Sequence, residues 1–197
     1  MRKLYMVLGA IGSGKSTLCK KLLNNKETFK INSYISSDSY KEKFFDNCGK
    51  KSYRAGDELS LNILNYVCEN ENDDILFEFC PVRPMKIKTV EQIIKANKIK
   101  LVVFIIHNDN FVINKNRIVK KGINQNKIEN SFESFFKNSA PFIQLASKVY
   151  FIDNSNEIVN SEENDNFICC GKIERNKVFV YSNTRWFIDY IKNFKTK

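Results

Sequence analysis

The chain has 197 residues, 43% of them hydrophobic and 13% aromatic, enough to bury the core of one ordinary domain and too many for a disordered chain. Its formal charge of +10 favours anionic ligands such as nucleotides, phosphosugars or nucleic acid, although much of it lies in lysines at the helical spacing of a solvated face. No apolar run approaches the roughly 18 residues of a membrane span, and six cysteines without a C-x-x-C pair, beside a single histidine, speak against a zinc site. Scattered thiols suit a reducing compartment. The opening "MRKLYMVLGAIGSGKS" begins like a signal peptide, but its apolar stretch is short and runs into a phosphate-binding pattern. A cytoplasmic protein with no membrane partner is therefore expected.

Strand and helix patterns alternate along the chain. "KLYMVL" (3–8) reads as a strand, followed by a glycine loop and a helix from about Lys15 to Leu23. "NSYISS" (32–37) is a second strand ending at Asp38, and "GDELSLNILNYVCEN" puts Leu59, Ile63, Tyr66 and Val67 on one helical face. "DILFEF" (74–79) is a third strand, ended by the prolines of "CPVRP". "MKIKTVEQIIKANK" is helical, "IKLVVFII" (99–106) is a fourth strand, and after a long charged helical region "KVYFID" (148–153) is a fifth. These strands are apolar without alternation, as in a parallel sheet covered on both faces. The expected fold is α/β, a three-layer sandwich with a parallel, doubly wound sheet of about five strands.

Residues 1–156 would form this core, with 157–197 as an extension packed on the same domain. In the extension, "FICCGKIERNKVFVYS" resembles two short strands around a turn and "TRWFIDYIKNF" an amphipathic helix. Cys169 and Cys170 are expected to be buried strand residues rather than a redox pair.

Gly9-Ala10-Ile11-Gly12-Ser13-Gly14-Lys15-Ser16 fits G-x-x-x-x-G-K-[ST], between a predicted strand and a predicted helix. Its glycines let successive N–H groups turn inward around a phosphate, and the helix N-terminus adds partial positive charge there. Lys15 can reach the outer phosphates, and the Ser16 hydroxyl is placed to hold Mg²⁺. Residues 9–17, through Thr17, are thus the expected site of a nucleoside triphosphate, taken as ATP, in a P-loop NTPase-type fold.

In open α/β sheets, ligands gather beyond the carboxyl ends of the strands. Asp38 and Glu78 fall there. Asp38, at a helix start, is the candidate base for a substrate hydroxyl. Glu78 would act through water on Mg²⁺ or hold a substrate hydroxyl. The basic segment 114–139 stands where a lid would supply cations, and Arg117 has the planar fork that suits phosphate oxygens. A switch GTPase is disfavoured because no N-K-x-D guanine-reading segment follows.

"LGAIGSGKSTL", "YISSDSYK", "ILFEF", "NRIVKKG…NSFESF" and "KVYFIDNS" occur in the order and rough spacing of the zeta-toxin-like P-loop kinases, which the chain resembles over about residues 3–156. The resemblance implies an ATP- and Mg²⁺-dependent kinase whose toxin members phosphorylate UDP-N-acetylglucosamine on a sugar hydroxyl. It implies that Lys15 and Ser16 serve ATP and Mg²⁺, Asp38 is the base, Glu78 faces the sugar nucleotide and Arg117 belongs to the lid; it also raises an antitoxin protein as a partner. The chain departs from the family's Gly-Gly-His lid stretch with "KGINQNK", has Phe79 in place of a Thr, and lacks the second lid arginine, for which Lys121 or Lys127 could substitute. These departures touch the acceptor and the lid, not the ATP loop.

The leading expectation is a kinase acting on a hydroxyl of a small molecule. The alternatives are a polynucleotide 5′-hydroxyl kinase, a nucleoside or nucleotide kinase, and an ATP-binding module without phosphotransfer. The first would need aromatics for base stacking. Phe132, Phe135 and Phe136, spaced i, i+3, i+4, fit core packing better, so nucleic acid is not favoured.

Overall fold

The computed structural model describes residues 1–45, 52–81, 87–118, 124–155 and 167–194. Five strands alternate with helices: β1 (Lys3–Gly9), α1 (Lys15–Asn24), β2 (Ile31–Ser36), α2 (Ser37–Phe45), α3 (Ser52–Asn70), β3 (Asp74–Phe79), α4 (Ile87–Ala96), β4 (Lys100–His107), α5 (Phe111–Ile118), α6 (Gln125–Leu145) and β5 (Lys148–Asp153). Then come β6 (Ile168–Glu174), β7 (Lys177–Val180) and α7 (Arg185–Phe194). In β4, every residue from Leu101 to His107 is buried, so an unbroken apolar run is what the strand requires.

The strands form one sheet in the order β2-β3-β1-β4-β5-β6-β7. The first five are parallel, but β6 pairs antiparallel with β5, and β7 with β6. The expectation of about five strands is corrected to seven among the described residues. The extra two are the short strands read in the tail, joined by a tight hairpin in which Arg175 and Asn176 adopt φ of 51° and 61°. They join the main sheet because Cys170 and Ile173 of β6 continue its apolar face, which Trp186 and Phe187 of α7 help to cover.

One side of the sheet packs against α3, α4, α6 and α7, the other against α1. Phe132, Phe135 and Phe136 of α6 surround His107 at the end of β4, with ring centroids 5.1, 5.7 and 4.7 Å from it. Trp186 joins them at 5.0 Å and donates its indole N–H to Asp153 at 2.6 Å, tying α7 to the end of β5. Burial lowers the His107 pKa to about 4. Cys170 is buried and Cys169 partly so, and burial pushes the Cys170 thiol up to about 11, as suits unreactive strand residues.

Because β1 lies between β3 and β4, the carboxyl ends of β1, β3, β4, β5 and β2 bring Gly9, Glu78, His107, Asp153 and Ser36 to one edge of the sheet. Among the described residues, no helix is long and apolar enough to cross a membrane.

Candidate nucleotide site

The glycine loop runs from the end of β1 to the first turn of α1, as its sequence demands. Gly12 and Gly14 have φ of +80° and +97°, angles that a side chain resists. A Cβ at Gly12 would lie 2.5 Å from the Asn114 carbonyl oxygen of α5, and one at Gly14 would lie 2.4 Å from Asn154 Nδ2. Gly14 is also the N-cap of α1 and offers no side-chain hydrogen bond, so the first N–H groups of the helix have no capping side chain. Bare amides and partial positive charge there suit a phosphate. Ala10 and Ser13 are buried, Ile11 and Thr17 are half-buried, and the Ile11 N–H donates to Ser131 Oγ of α6 at 3.0 Å.

Lys15 is buried, and its ammonium donates to the Ala10 carbonyl at 3.1 Å across the loop. Burial alone would push it towards the neutral amine. Cys80, Asp38 and Glu78 around it more than offset this and hold its pKa above the ordinary lysine value. Lys15 is thus a charged group held in place among acids.

Register places Glu78 beside both the phosphate loop and β2, opposite Val7 of β1 and Ser36 of β2. Its carboxylate is buried and accepts from Ser16 Oγ at 2.7 Å and from the Tyr34 phenol. Burial, with Glu78 close by, raises the Tyr34 pKa well above the usual phenol range, so Tyr34 remains a donor. A hydroxyl and a carboxylate side by side are hard oxygen donors, the kind that bind Mg²⁺. The pair fits that ion.

Asp38 lies in the first turn of α2 and is exposed. The cap there is Ser36, whose Oγ accepts the Ser39 N–H at 3.4 Å, and the Asp38 charge is among those that raise the Lys15 pKa. Arg117, in the last turn of α5, docks on the rim of the loop. Its Nη2 donates to the Asn154 carbonyl at 3.1 Å and to Asn154 Oδ1 at 3.3 Å, and its Nη1 to the Gly12 carbonyl at 3.5 Å. Lys127 is exposed in the first turn of α6; Lys121 and the rest of 119–123 lie outside the described residues.

Three residues of this region were not assigned from the sequence as site residues. Tyr34 and Ser131 give no signal in a single chain, because only the fold brings them to Glu78 and Ile11. Asn154 does leave one: it stands directly after an apolar strand, within the "FIDNS" ending.

A glycine loop of this build, at the head of the first helix and on the central strand of a parallel β2-β3-β1-β4-β5 sheet, defines the P-loop class of nucleotide-binding folds. No protein-family model matches the sequence, and no curated protein matches it significantly. Among solved structures, a chain of the AvrRxo1-ORF1:AvrRxo1-ORF2 complex crystallised with sulphate superposes with a TM-score of 0.65 at 12% identity, over 97% of this chain and 63% of that one. The same complex with ATP gives 0.63 at 11% identity, over 95% of this chain and 63% of the other. The PezAT chromosomal toxin–antitoxin system of Streptococcus pneumoniae gives 0.52 at 12% identity, covering 83% and 73%. The tunicamycin resistance protein of Deinococcus radiodurans gives 0.50 at 11%, covering 80% and 88%. This chain spans less than two thirds of the AvrRxo1 chain it matches. The fold is that of the zeta-toxin-like P-loop kinases.

Proposed function

We propose that the protein is an ATP- and Mg²⁺-dependent kinase that transfers the γ-phosphoryl group to a hydroxyl of a small molecule. The observation that carries this is the grouping of Lys15, the Ser16–Glu78 pair and Asp38 at one edge of the sheet. The loop amides and Lys15 hold the phosphates, and Arg117 stands at the rim to neutralise charge on the group in transfer. Ser16 would hold Mg²⁺, with Glu78 acting on it through water; the Ser16–Glu78 hydrogen bond favours this role for Glu78 over direct contact with the acceptor. Bound there, Mg²⁺ supplies charge neutralisation across the phosphates. Asp38 takes the proton of the acceptor hydroxyl as its oxygen bonds to the γ-phosphorus, and the bond from that phosphorus to the bridging oxygen breaks to release ADP.

The fold likeness makes a sugar nucleotide the first acceptor to try, and an antitoxin the first partner, since PezAT is a toxin–antitoxin system. The test is ATP consumption by the wild-type chain and Asp38→Ala across UDP-sugars, nucleosides, nucleotides and 5′-hydroxyl oligonucleotides. Turnover on one class, lost in Asp38→Ala, is expected. ATP binding with turnover on none would favour a binding module, and full activity in Asp38→Ala would remove Asp38 as the base.

A further inference from the structure

Asn154 is buried just past the end of β5 and hydrogen-bonds both the phosphate loop and the arginine docked on its rim. Its Nδ2 donates to the Ser13 carbonyl at 2.7 Å, its Oδ1 and its own carbonyl both accept from Arg117 Nη2, and its N–H donates to the His107 carbonyl at 2.9 Å. Gly14 makes room for it: the missing Cβ is what lets Nδ2 approach. The strand end beneath is fixed in turn, because Asp153 accepts from Trp186 Nε1 at 2.6 Å and from Ser155 Oγ at 2.7 Å.

In a trans peptide the C=O and the following N–H point in opposite directions. Holding the Ser13 carbonyl outward therefore turns the Gly14 N–H into the loop. The same amide oxygen holds the guanidinium that also reaches the Gly12 carbonyl. We infer that Asn154 is a positioning residue with two tasks: it sets the Gly14 amide towards the nucleotide's phosphates, and it seats Arg117 at the loop rim. An amide is suited to both because it donates on one side and accepts on the other. A carboxylate can do the second and not the first. This inference rests on the proposed nucleotide site.

The experiment measures the affinity of Mg-ATP and Mg-ADP by calorimetry for the wild type, Asn154→Asp, Asn154→Ala and Arg117→Ala, with thermal melts alongside. Asn154→Asp keeps the volume and the Arg117 contact but sets a carboxylate against the Ser13 carbonyl. It should weaken ATP and ADP by the same factor, about ten- to a hundredfold for a lost buried hydrogen bond with an oxygen left unpaired. Arg117→Ala should weaken ATP more than ADP, and Asn154→Ala should combine both patterns. The double variant Asn154→Ala/Arg117→Ala should lose less than the two single losses added, because the second acts partly through the first. If Asn154→Ala does not fold, Asn154→Asp decides alone. Nucleotide affinities within twofold of wild type in Asn154→Asp would overturn the inference and leave the proposed function standing. Absence of nucleotide binding by the wild type would instead remove the site itself.

Discussion

Replacing Gly14 with alanine tests the loop's construction at its tightest point. The residue holds φ +97°, in the left-handed region, where a Cβ costs about 1–2 kcal/mol. The new methyl would also sit 2.4 Å from Asn154 Nδ2. Asn154 is pinned by its bonds to Ser13 and Arg117, so it can move only by giving up the Ser13 carbonyl. An unpaired buried carbonyl costs about 1–3 kcal/mol more. Gly14→Ala should therefore lose about 2–5 kcal/mol in urea unfolding at unchanged m-value. Combined with Asn154→Ala it should lose clearly less than the two single losses added, because the clash is gone and the backbone cost alone remains. A single-variant loss under about 1 kcal/mol, or full additivity in the double variant, would refute this reasoning.

Two further predictions concern buried polar groups. His107 has its pKa lowered by burial to about 4 from an ordinary 6.5, so between pH 6.5 and 4 the unfolded chain takes up a proton that the folded chain refuses. Stability should fall with pH across that window by up to about 3 kcal/mol and level off below it. His107→Phe, placed among Phe132, Phe135, Phe136 and Trp186, should flatten that dependence; denaturant melts at pH 7 and pH 4.5 read it, and equal pH sensitivity in both proteins would contradict the assignment. Glu78→Gln should raise the Mg²⁺ concentration needed for half-maximal ATP binding by about 10–100-fold, the usual effect of losing a partner that orients a ligand to the metal. An unchanged Mg²⁺ titration would place Glu78 elsewhere in the chemistry.

Strands β1, β3, β4 and β5 are legible because they are largely buried on both faces and so appear as apolar runs, β5 over 148–153 as observed, whereas β2 stands at the sheet edge with Asn32 and Tyr34 exposed. The phosphate loop was readable because its glycines answer backbone demands that are local. The hairpin of β6 and β7 was recognisable as two strands, but not its place in the sheet. Its turn uses Arg175 in the left-handed region, where asparagine or glycine would signal the turn more plainly, and it pairs antiparallel with β5 where every earlier pairing in the sheet is parallel. The aromatics of α6 pack as their i, i+3, i+4 spacing predicts, with Phe135 in the core and Phe132 and Phe136 against it. The meeting of Ser16 and Glu78 at one site follows from the motif and the strand ends, whereas the partners of Tyr34 on β2, Ser131 on α6 and Asn154 depend on which elements become neighbours in the fold. Sequence order does not carry that information.

The central claim is that residues 9–17 hold a nucleoside triphosphate with Mg²⁺. Calorimetric titration of the purified chain with ATP and GTP, with and without Mg²⁺, tests it most directly, with Lys15→Ala as the control. We predict Mg²⁺-dependent binding of ATP that Lys15→Ala abolishes. No heat with either nucleotide in the presence of Mg²⁺, or equal binding by wild type and Lys15→Ala, would contradict it.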